Sequence, residues 1–386
     1  MQKTKVLRII TRLNIGGPTI HTVLLNSKLD PNKYESYLLC GRIEAHESDM
    51  SYYAEKYNVL PIYINDLCRE LRPFQDLKAL VQMIRIIRKI KPDIVHTHTA
   101  KAGTLGRLAA IILRVQIIIH TFHGNIFKGY FGKLKTKFFV YIEKFLSLFS
   151  TKIITISKQQ KKEIIDLGIS KKEKIEVINL GFDFKNILPS GMEKDVFRKD
   201  FNIPKDKKLI GIIGRLTPIK NHHLFLDIAQ IVSKKKTDIQ FVIIGDGESR
   251  KEIQNEITKR QLDGNVFITG FIQNLKPVYA DLDLVLLTSK NEGTPVALIE
   301  AMAAKKVVMS TQVGGVEDFV DNGVNGFYFP QEPQSFADEI CKYFDHQKEY
   351  FYMKEKATIT SLKKFSSERL IKDIDELYSK LIESKK

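Results

Sequence analysis

The sequence predicts an α/β protein of two domains, each a parallel sheet covered by helices. Short apolar segments of strand type alternate along the chain with segments of helical periodicity, which is the pattern of a doubly wound sheet. A strand, a glycine-bearing turn and a helix open the first half at residues 5–26, and the same succession returns at residues 209–231. The length of 386 residues suits two domains of ordinary size.

Charge and cysteine usage narrow the class of protein. The net charge of +16 comes from the first half, where residues 1–190 carry 31 Lys and Arg against 16 Asp and Glu, whereas residues 191–386 carry 30 against 29. A basic surface of this kind is compatible with anionic lipid, nucleic acid or an acidic acceptor. The three cysteines, Cys40, Cys68 and Cys341, lie far apart, so they indicate neither a disulfide framework nor a zinc site and favour a reducing cytosol.

No secretory or membrane-crossing segment is expected. Arg12 and Asn14 interrupt the apolar stretch that follows the basic N-terminus, which argues against a signal peptide. The nearest approach to a long apolar run, residues 111–119, is broken by Arg114 and Gln116, whereas a spanning helix needs about 18 apolar residues. We therefore expect a cytoplasmic protein, and a position at the inner face of the membrane stays open.

The first half reads as a series of buried strands with helices between them. Strands are predicted at 5–10, 34–40, 58–64, 93–98, 117–119, 153–157 and 175–178, with helices at 19–26 and 74–90. Gly16 and Gly17, in the turn after the first strand, would let the backbone approach a ligand closely, and a plain turn is the alternative. In open parallel sheets the carboxyl ends of the strands line the ligand crevice.

Four histidines lie at or near strand ends and raise the question of a metal site. They are His96, His98, His120 and His123. No carboxylate accompanies them at ligand spacing, and His96 and His98 could alternate between the faces of their strand, so no metal is predicted. At least two of the four are expected to be structural. His123 is the exception, because it follows the apolar strand 117–119 and precedes a glycine turn, a position at the crevice.

Residues 127–149 interleave basic and aromatic side chains. The basic residues are Lys128, Lys133, Lys135, Lys137 and Lys144, and the aromatic residues are Tyr130, Phe131, Phe138, Phe139, Tyr141, Phe145 and Phe149. A basic amphipathic helix of this kind suits the surface of an anionic membrane. One alternative is a packed helix with its aromatic residues in the core and its lysines in solvent, and another is single-stranded nucleic acid. The charge excess of the first half favours the membrane.

The second half opens with a turn that carries two cations. After a polar, irregular linker at 183–204, a strand at 209–213 leads into Gly214 and Arg215, and Lys220 follows five residues later. An Arg fork and a Lys point charge at a strand-to-helix turn can hold a diphosphate, and an unengaged surface pair is the alternative. Further strands are predicted at 239–244, before Gly245, and at 266–272, which includes Phe271 and Ile272.

Another turn follows the predicted strand 283–287. It reads Glu292-Gly293-Thr294-Pro295 and leads into a helix that contains Glu300. About two helical turns separate the acids, so both can face one cleft. The free N–H groups and dipole at the helix start favour an anion such as a phosphate. A surface turn followed by an ordinary helical glutamate is the alternative.

This turn carries a family resemblance. Residues 288–329 resemble the Glu-x7-Glu motif of the retaining GT-B glycosyltransferases of family 4, with Glu292 and Glu300 as the acids, and 313–320 and 322–327 match the next segment of that family. The resemblance implies an α/β GT-B fold of two facing Rossmann-like domains with an interdomain cleft. The expected domains are an acceptor domain at 1–190, a nucleotide-sugar domain at 191–365 and a helix at 366–386 that returns to the N-terminal domain.

The resemblance also assigns residues. The turn of Gly16 and Gly17 resembles the loop that closes over the donor diphosphate, and His123 resembles the active-site histidine close to the transferred sugar. His98 and Lys101 lie in a segment similar to one in family members that build bacterial surface polysaccharides, where it would lie near the acceptor. The residues assigned to the nucleotide-sugar are Gly16, Gly17, Gly214, Gly245, Phe271, Ile272, Gly293, Thr294, Pro295 and Glu300.

The implied activity is the retaining transfer of a hexosyl group from a nucleotide-diphosphate sugar, expected to be a UDP-sugar, to a lipid-linked or polysaccharide acceptor. Arg215 and Lys220 would stabilise the departing diphosphate, while Glu292 and His123 would contact the sugar and Glu300 the ribose. No cofactor and no nucleic-acid partner are expected, and no metal, since no Asp-x-Asp motif stands at a strand end. Front-face substitution is the first choice of mechanism and a covalent step through Glu292 the second. The alternative functions are a GT-B-type nucleotide-sugar epimerase and a basic nucleic-acid-binding protein.

Overall fold

The computed structural model describes residues 3–44, 49–124 and 132–385. The strands in these ranges are β1 (Thr4–Arg12), β2 (Tyr34–Gly41), β3 (Pro61–Ile64), β4 (Ile94–His98), β5 (Ile117–Phe122), β6 (Lys152–Thr155), β7 (Ile175–Val177), β8 (Lys208–Ile213), β9 (Ile239–Ile244), β10 (Val266–Gly270), β11 (Leu284–Leu287), β12 (Val307–Thr311) and β13 (Phe327–Phe329). Each predicted strand is present, and its bounds differ from the prediction by at most three residues.

The helices alternate with these strands. They are α1 (Gly17–Lys28), α2 (Ser51–Lys56), α3 (Pro73–Ile90), α4 (Ala100–Ile112), α5 (Lys133–Phe149), α6 (Lys158–Asp166), α7 (Val196–Asp200), α8 (His222–Lys235), α9 (Arg250–Lys259), α10 (Lys276–Asp281), α11 (Val296–Ala303), α12 (Pro333–Asp345), α13 (Phe351–Phe365) and α14 (Ser367–Glu383). Among the described residues, every helix is too short or too polar to cross a bilayer.

The strands form two parallel sheets. The first has the order β3-β2-β1-β4-β5-β6-β7 and the second the order β10-β9-β8-β11-β12-β13. Parallel strands buried on both faces read as continuous apolar runs, and β8 does so, whereas the buried Arg8 interrupts the run of β1. In each sheet the chain reverses its direction of travel once, between β1 and β4 and between β8 and β11. These switch points are where open α/β sheets bind ligands.

The chain divides into two compact units, residues 1–182 with 367–386 and residues 183–366. The segment expected to be a linker belongs to the second unit, because α7 packs on α10. The Asp281 carboxylate accepts hydrogen bonds from the backbone N–H groups of Asp195 and Arg198, at 2.7 and 3.0 Å. The sequence-based boundary after residue 190 therefore lies inside this unit.

The C-terminal helix α14 completes the core of the first unit. Its apolar side chains Ile374, Leu377 and Tyr378 pack in one cluster with Val6 of β1 and Ile94 of β4. Full burial of each large apolar side chain contributes about 1.5–3 kcal/mol, so this helix is part of the fold of the unit.

One face of helix α5 packs against the first unit, and the other face is exposed to solvent. Both carboxylate oxygens of Glu143, on the inner face, accept hydrogen bonds from Nη2 of Arg107 in α4, at 2.8 and 2.6 Å, and both side chains are buried. The outer face carries large exposed apolar side chains, namely Leu134, Phe138, Tyr141, Phe145, Leu148 and Phe149. The alternative that places the aromatic residues in the core is therefore wrong for this face, although Phe139 is partly buried. Residues 127–131 of the predicted helix lie outside the described residues.

Candidate active site

The candidate site of the second unit lies at the switch point of its sheet. The loops after β8 and β11 leave neighbouring parallel strands at the same edge. Two hydrogen bonds tie them together, from the Lys290 N–H to the Ile219 carbonyl at 2.8 Å and from Thr288 Oγ1 to the Lys220 carbonyl at 3.0 Å. The two turns singled out in the sequence are therefore one structure.

Lys220 and Glu292 meet between these loops. Lys220 Nζ lies 2.6 Å from Glu292 Oε1, and Ser289 Oγ donates to the same oxygen at 2.7 Å. The side chains of Lys220 and Glu292 are 24% and 12% exposed, so solvent still reaches the pair. An ammonium has three N–H donors, and contact with Glu292 leaves others for a ligand.

A third loop packs against the backbone of the Glu292 turn. Gly314, after β12, has a left-handed φ of +57°, and a Cβ there would lie 1.8 Å from the carbonyl oxygen of Glu292. The N–H of Gly315 donates to the carbonyl of Gly293 at 3.0 Å. A glycine at position 314 is thus required both by the backbone conformation and by the close approach to the Glu292 turn.

Gly214 and Gly245, both assigned to the nucleotide-sugar, pack closely against each other at the ends of the paired strands β8 and β9. Gly245, after β9, has φ of +146°, and a Cβ there would lie 1.9 Å from the carbonyl oxygen of Gly214. Its N–H donates to the carbonyl of Gly270 at 3.0 Å. Phe271 and Ile272 follow directly, Phe271 exposed and Ile272 half-buried. The predicted strand 266–272 thus ends at Gly270, and these two residues lie in a loop.

Helix α11 places its N-terminus and Glu300 in the same region. Thr294 precedes the capping residue Pro295, and within the described chain its buried Oγ1 has no hydrogen-bond partner. Glu300 is 7% exposed and accepts a hydrogen bond from the Tyr279 hydroxyl at 2.8 Å. Burial raises the pKa of Glu300 to about 7. The carboxyl can therefore gain or lose a proton near neutral pH.

Arg215 differs from Lys220. It follows Gly214 in the same turn, but its side chain is exposed, and no ion pair or hydrogen bond of that side chain exists among the described residues. The structure thus brings Lys220 and Glu292 into direct contact and leaves Arg215 exposed to solvent.

The switch point of the first unit holds histidines. His98 ends β4, His123 follows β5, and His98 Nδ1 lies 2.9 Å from His123 Nε2. His21 of α1 joins them, with its ring centre 5.6 Å from that of His98 and 5.0 Å from that of His123. His21 was missed because a lone histidine in a helix belongs to no motif. Gly16 and Gly17 stand at the start of the same helix.

The prediction that His96 and His98 alternate between faces is wrong. Their rings lie 4.3 Å apart on one face, because side chains two residues apart on a strand point the same way. His96 is structural, since its two nitrogens contact the Tyr378 hydroxyl and Thr121 Oγ1, both at 2.7 Å. His120 pairs with Thr97 Oγ1 at 2.9 Å and packs under α4.

Lys101 is held by its neighbours. It lies in the first turn of α4, forms an ion pair with Asp76 of α3 and donates to the carbonyl of Glu70. Its side chain is only 9% exposed. Any contact of Lys101 with an acceptor would have to share the ammonium with Asp76.

Other supporting residues were not visible in the sequence. Ser289, Gly314 and Tyr279 each contact a predicted site residue from a different loop or helix. A serine three residues before Glu292 is a faint local signal, whereas the contact between Tyr279 and Glu300 exists only in the folded unit.

Two known protein families match this chain, one over most of its first half and one over most of its second half. The family described as glycosyltransferase family 4 matches residues 15–186, and the family described as glycosyl transferases group 1 matches residues 193–360. The UDP-Gal:α-D-GlcNAc-diphosphoundecaprenol α-1,3-galactosyltransferase of Escherichia coli is 26% identical over 292 residues, which cover 75% of this chain and 76% of that protein. The capsular polysaccharide biosynthesis glycosyltransferase CapM of Staphylococcus aureus is 28% identical over 326 residues, 81% and 83% of the two chains.

Solved structures show the same fold. The crystal structure of HepE from Anabaena with UDP and glucose matches with a TM-score of 0.84 at 20% identity, over 97% of this chain and 99% of that one. Sucrose-phosphate synthase of Thermosynechococcus elongatus matches with a TM-score of 0.80 at 17% identity, over 99% and 100%. Two parallel Rossmann-like sheets with these neighbours are the GT-B architecture. The chain therefore belongs to the glycosyltransferases that combine a family 4 domain with a group 1 domain.

Proposed function

We propose that this glycosyltransferase moves a sugar from a UDP-sugar to a lipid-linked or polysaccharide acceptor in surface-glycan synthesis, with retention of anomeric configuration. The observation that carries the proposal is the contact of Lys220 with Glu292 at the switch point of the second sheet. It puts a cation and a hydroxyl-binding carboxylate side by side, which is what a charged diphosphate joined to a sugar requires.

Lys220 and Arg215 would stabilise the leaving group. Departure of a nucleoside diphosphate develops negative charge, and preorganised donors aimed at that charge lower the barrier. Lys220 would supply a point charge and Arg215 a planar fork. Thr294 Oγ1, buried without a partner among the described residues, and the first N–H groups of α11 would add neutral donors. With this set of donors, we expect diphosphate departure to need no divalent metal.

The two glutamates would bind hydroxyl groups. Oε1 of Glu292 already accepts from Lys220 and Ser289. Two donors on one oxygen disperse its charge and weaken it as a nucleophile. This favours a role in holding sugar hydroxyls, and with it front-face substitution in which the leaving phosphate takes the acceptor proton, over a covalent step through Glu292. Glu300, deeper in α11, would accept from the ribose.

The first unit would serve the acceptor and the closing of the site. His123 would contact the sugar, the turn of Gly16 and Gly17 would approach the diphosphate, and His98 and Lys101 would lie near the acceptor. The relatives support the chemical class: the Escherichia coli enzyme is named for UDP-Gal and a diphosphoundecaprenol-linked acceptor, and the Anabaena structure contains UDP and glucose.

The test is turnover of UDP-sugars by purified variants. We expect Arg215→Ala to lower transfer by about 10²-fold or more and Lys220→Ala to lower it further, the scale of losing a charge-stabilising donor. Lys234→Ala, an exposed lysine later in α8, is the matched control and should leave turnover unchanged. Near wild-type turnover by folded Arg215→Ala would remove Arg215 from the mechanism. Analysis of the sugar after incubation with donor alone separates transfer from epimerisation.

We also propose that the outer face of α5 docks on an anionic membrane. Its exposed apolar side chains include Phe138 and Phe145, which are 61% and 54% exposed, and Lys137 is exposed beside them. Apolar insertion with basic flanks is the pattern of helices that lie in the membrane surface.

Flotation with vesicles that contain anionic lipid tests the membrane contact. Phe138→Ser with Phe145→Ser should abolish co-flotation, and Lys137→Gln should weaken it in a salt-dependent manner. Phe351→Ser is the matched control, since Phe351 is 67% exposed in the other unit. Equal flotation of the wild type and the double variant would refute this docking surface.

A further inference from the structure

The histidine cluster of the first unit contains buried nitrogens without partners. Within the described chain, both ring nitrogens of His21, Nε2 of His98 and Nδ1 of His123 have no hydrogen-bond partner. Buried polar groups in proteins are nearly always paired, because an unpaired one loses its hydrogen bonds to water without replacement. Four such atoms on three adjoining rings point to a ligand that supplies the missing bonds.

The three rings have the geometry of a small ligand cage. One nitrogen from each lies within 4.8 Å of the others. A tetrahedral zinc ion with Zn–N bonds of about 2.1 Å holds its nitrogens about 3.4 Å apart. His98 Nδ1 and His123 Nε2 lie 2.9 Å apart because they share a hydrogen bond, which an ion held by these two atoms would replace. Side-chain rotations that move the nitrogens by roughly 1 Å would therefore convert the trio into a coordination shell.

The rings come from three rigid elements. His98 ends β4, which pairs with β5 ahead of His123, and α1 carries His21 against both. Burial lowers the pKa of all three imidazoles, so they are neutral and keep the lone pairs that a metal needs. His123 is half-buried, which gives an ion a path from solvent.

We propose that His21, His98 and His123 form a binding site for one divalent transition-metal ion of the zinc type. An all-nitrogen set selects zinc, cobalt, nickel or copper over magnesium and calcium. Three protein ligands leave a fourth position for an oxygen from water or from a bound hydroxyl or phosphate. No carboxylate balances the charge, and Arg8 and Arg369 lie close enough to oppose a cation. Binding at micromolar rather than nanomolar metal is therefore expected.

The proposal goes beyond the proposed function and does not depend on it. His123 is shared with the sugar contact suggested above, but the evidence here is the cluster itself, and the test measures binding. If the protein does not transfer sugar, the metal-site proposal is unaffected. If it does not bind metal, the proposed sugar transfer is unaffected.

The experiment titrates Co²⁺ and Zn²⁺ into the full chain, purified without a polyhistidine tag and stripped with a chelator. One equivalent of Co²⁺ should bind and develop the visible bands of a four-coordinate site. His21→Ala should weaken binding at least tenfold and lose these bands, because removing a ligand costs at least as much as removing its support. His223→Ala is the control and should bind as the wild type does, because His223 lies in the second unit with its side chain 45% exposed.

A second measurement guards against a folding defect. Zn²⁺ should raise the thermal unfolding temperature of the wild type and leave that of His21→Gln unchanged, since Gln keeps the size and polarity of the side chain but not the imidazole. The absence of one-equivalent binding in the wild type, or unchanged affinity in a folded His21 variant, would overturn the proposal.

Discussion

If Glu300 binds the nucleotide, as proposed, its buried carboxyl should make nucleotide binding depend on pH in a direction that follows from its raised pKa. In the ligand-free protein burial raises its pKa to about 7, and its contact among the described residues is the Tyr279 hydroxyl. If ribose hydroxyls donate to Glu300, as proposed, the charged form is favoured in the complex, and its pKa returns toward 4.5. UDP must then displace a proton whenever the pH lies below 7.

The magnitude follows from linkage. The cost of deprotonation multiplies Kd by one plus the ratio of protonated to ionised carboxyl. With a pKa of about 7 this factor is about 11 at pH 6 and about 1.1 at pH 8. UDP should therefore bind about tenfold more tightly at pH 8 than at pH 6 through this one group. The ionisation of UDP itself adds to the pH dependence and must be removed by a control.

Glu300→Gln supplies that control, because Gln keeps the shape of the side chain and does not titrate. Calorimetric titration of UDP into both proteins from pH 6 to pH 8 gives two curves, and their ratio isolates Glu300. We expect Glu300→Gln to bind UDP more weakly than the wild type at pH 8 and to lack the tenfold change in affinity between pH 6 and pH 8. A wild-type to variant ratio that is constant across this range would refute the reasoning.

The same shift predicts the stability of the ligand-free protein. A folded pKa of about 7 against 4.5 means that the contribution of Glu300 to stability is full below pH 4.5 and is lost as the pH rises through 7. At 1.36 kcal/mol per pKa unit the loss is about 3 kcal/mol. Denaturant unfolding of Glu300→Gln should not show this decline, which separates the burial of the group from its proposed contact with ribose.

Two further substitutions test the packing that positions the site and the α5 face. Gly314→Ala adds left-handed strain of about 1–2 kcal/mol and drives a methyl group into the carbonyl of Glu292, so it should lower UDP affinity as well as the unfolding temperature. Gly264→Ala, with φ of +79° and open space around it, carries the strain alone, and equal effects of the two would contradict the role of the contact. Glu143→Ala leaves the Arg107 guanidinium buried and unpaired, so chemical denaturation should show a loss of about 3–5 kcal/mol. Adding Arg107→Met should restore part of it, and no recovery would show that the cost is not an unpaired charge.

Eleven of the thirteen strands in the described residues could be read from the sequence, because parallel strands buried on both faces leave apolar runs, whereas β12 and β13 were not predicted. The run at 209–213 is one such case, and β8 lies there. The structure of segment 183–204 could not be predicted from the sequence, because its short helix α7 is held by Asp281, a residue far along the chain. A polar segment with tertiary partners has the same composition as a free linker.

Within the site, the sequence could identify groups that belong to motifs and could not identify their partners. Lys220 was assigned to the diphosphate and Glu292 to the sugar, and the structure places the two side chains in contact. Tyr279 has no motif of its own, yet its hydrogen bond lowers the pKa of Glu300 against the larger rise that burial causes. His21 became part of a cluster only when α1 was packed against β4. Motifs record which groups meet the ligand, whereas protonation and orientation depend on packing.

The unequal surroundings of the two cations have a consequence for catalysis. Lys220 is already oriented by Glu292, so the enzyme spends no further entropy to place it when the diphosphate arrives. Arg215 is exposed and must be ordered on binding, which costs up to about 2 kcal/mol of side-chain entropy. Loss of Lys220 would also release Glu292 from one of its two donors, so in the proposed complex the sugar and the diphosphate would lose their positions together. For this reason Lys220→Ala should be the more damaging substitution, although Arg215 offers more hydrogen bonds.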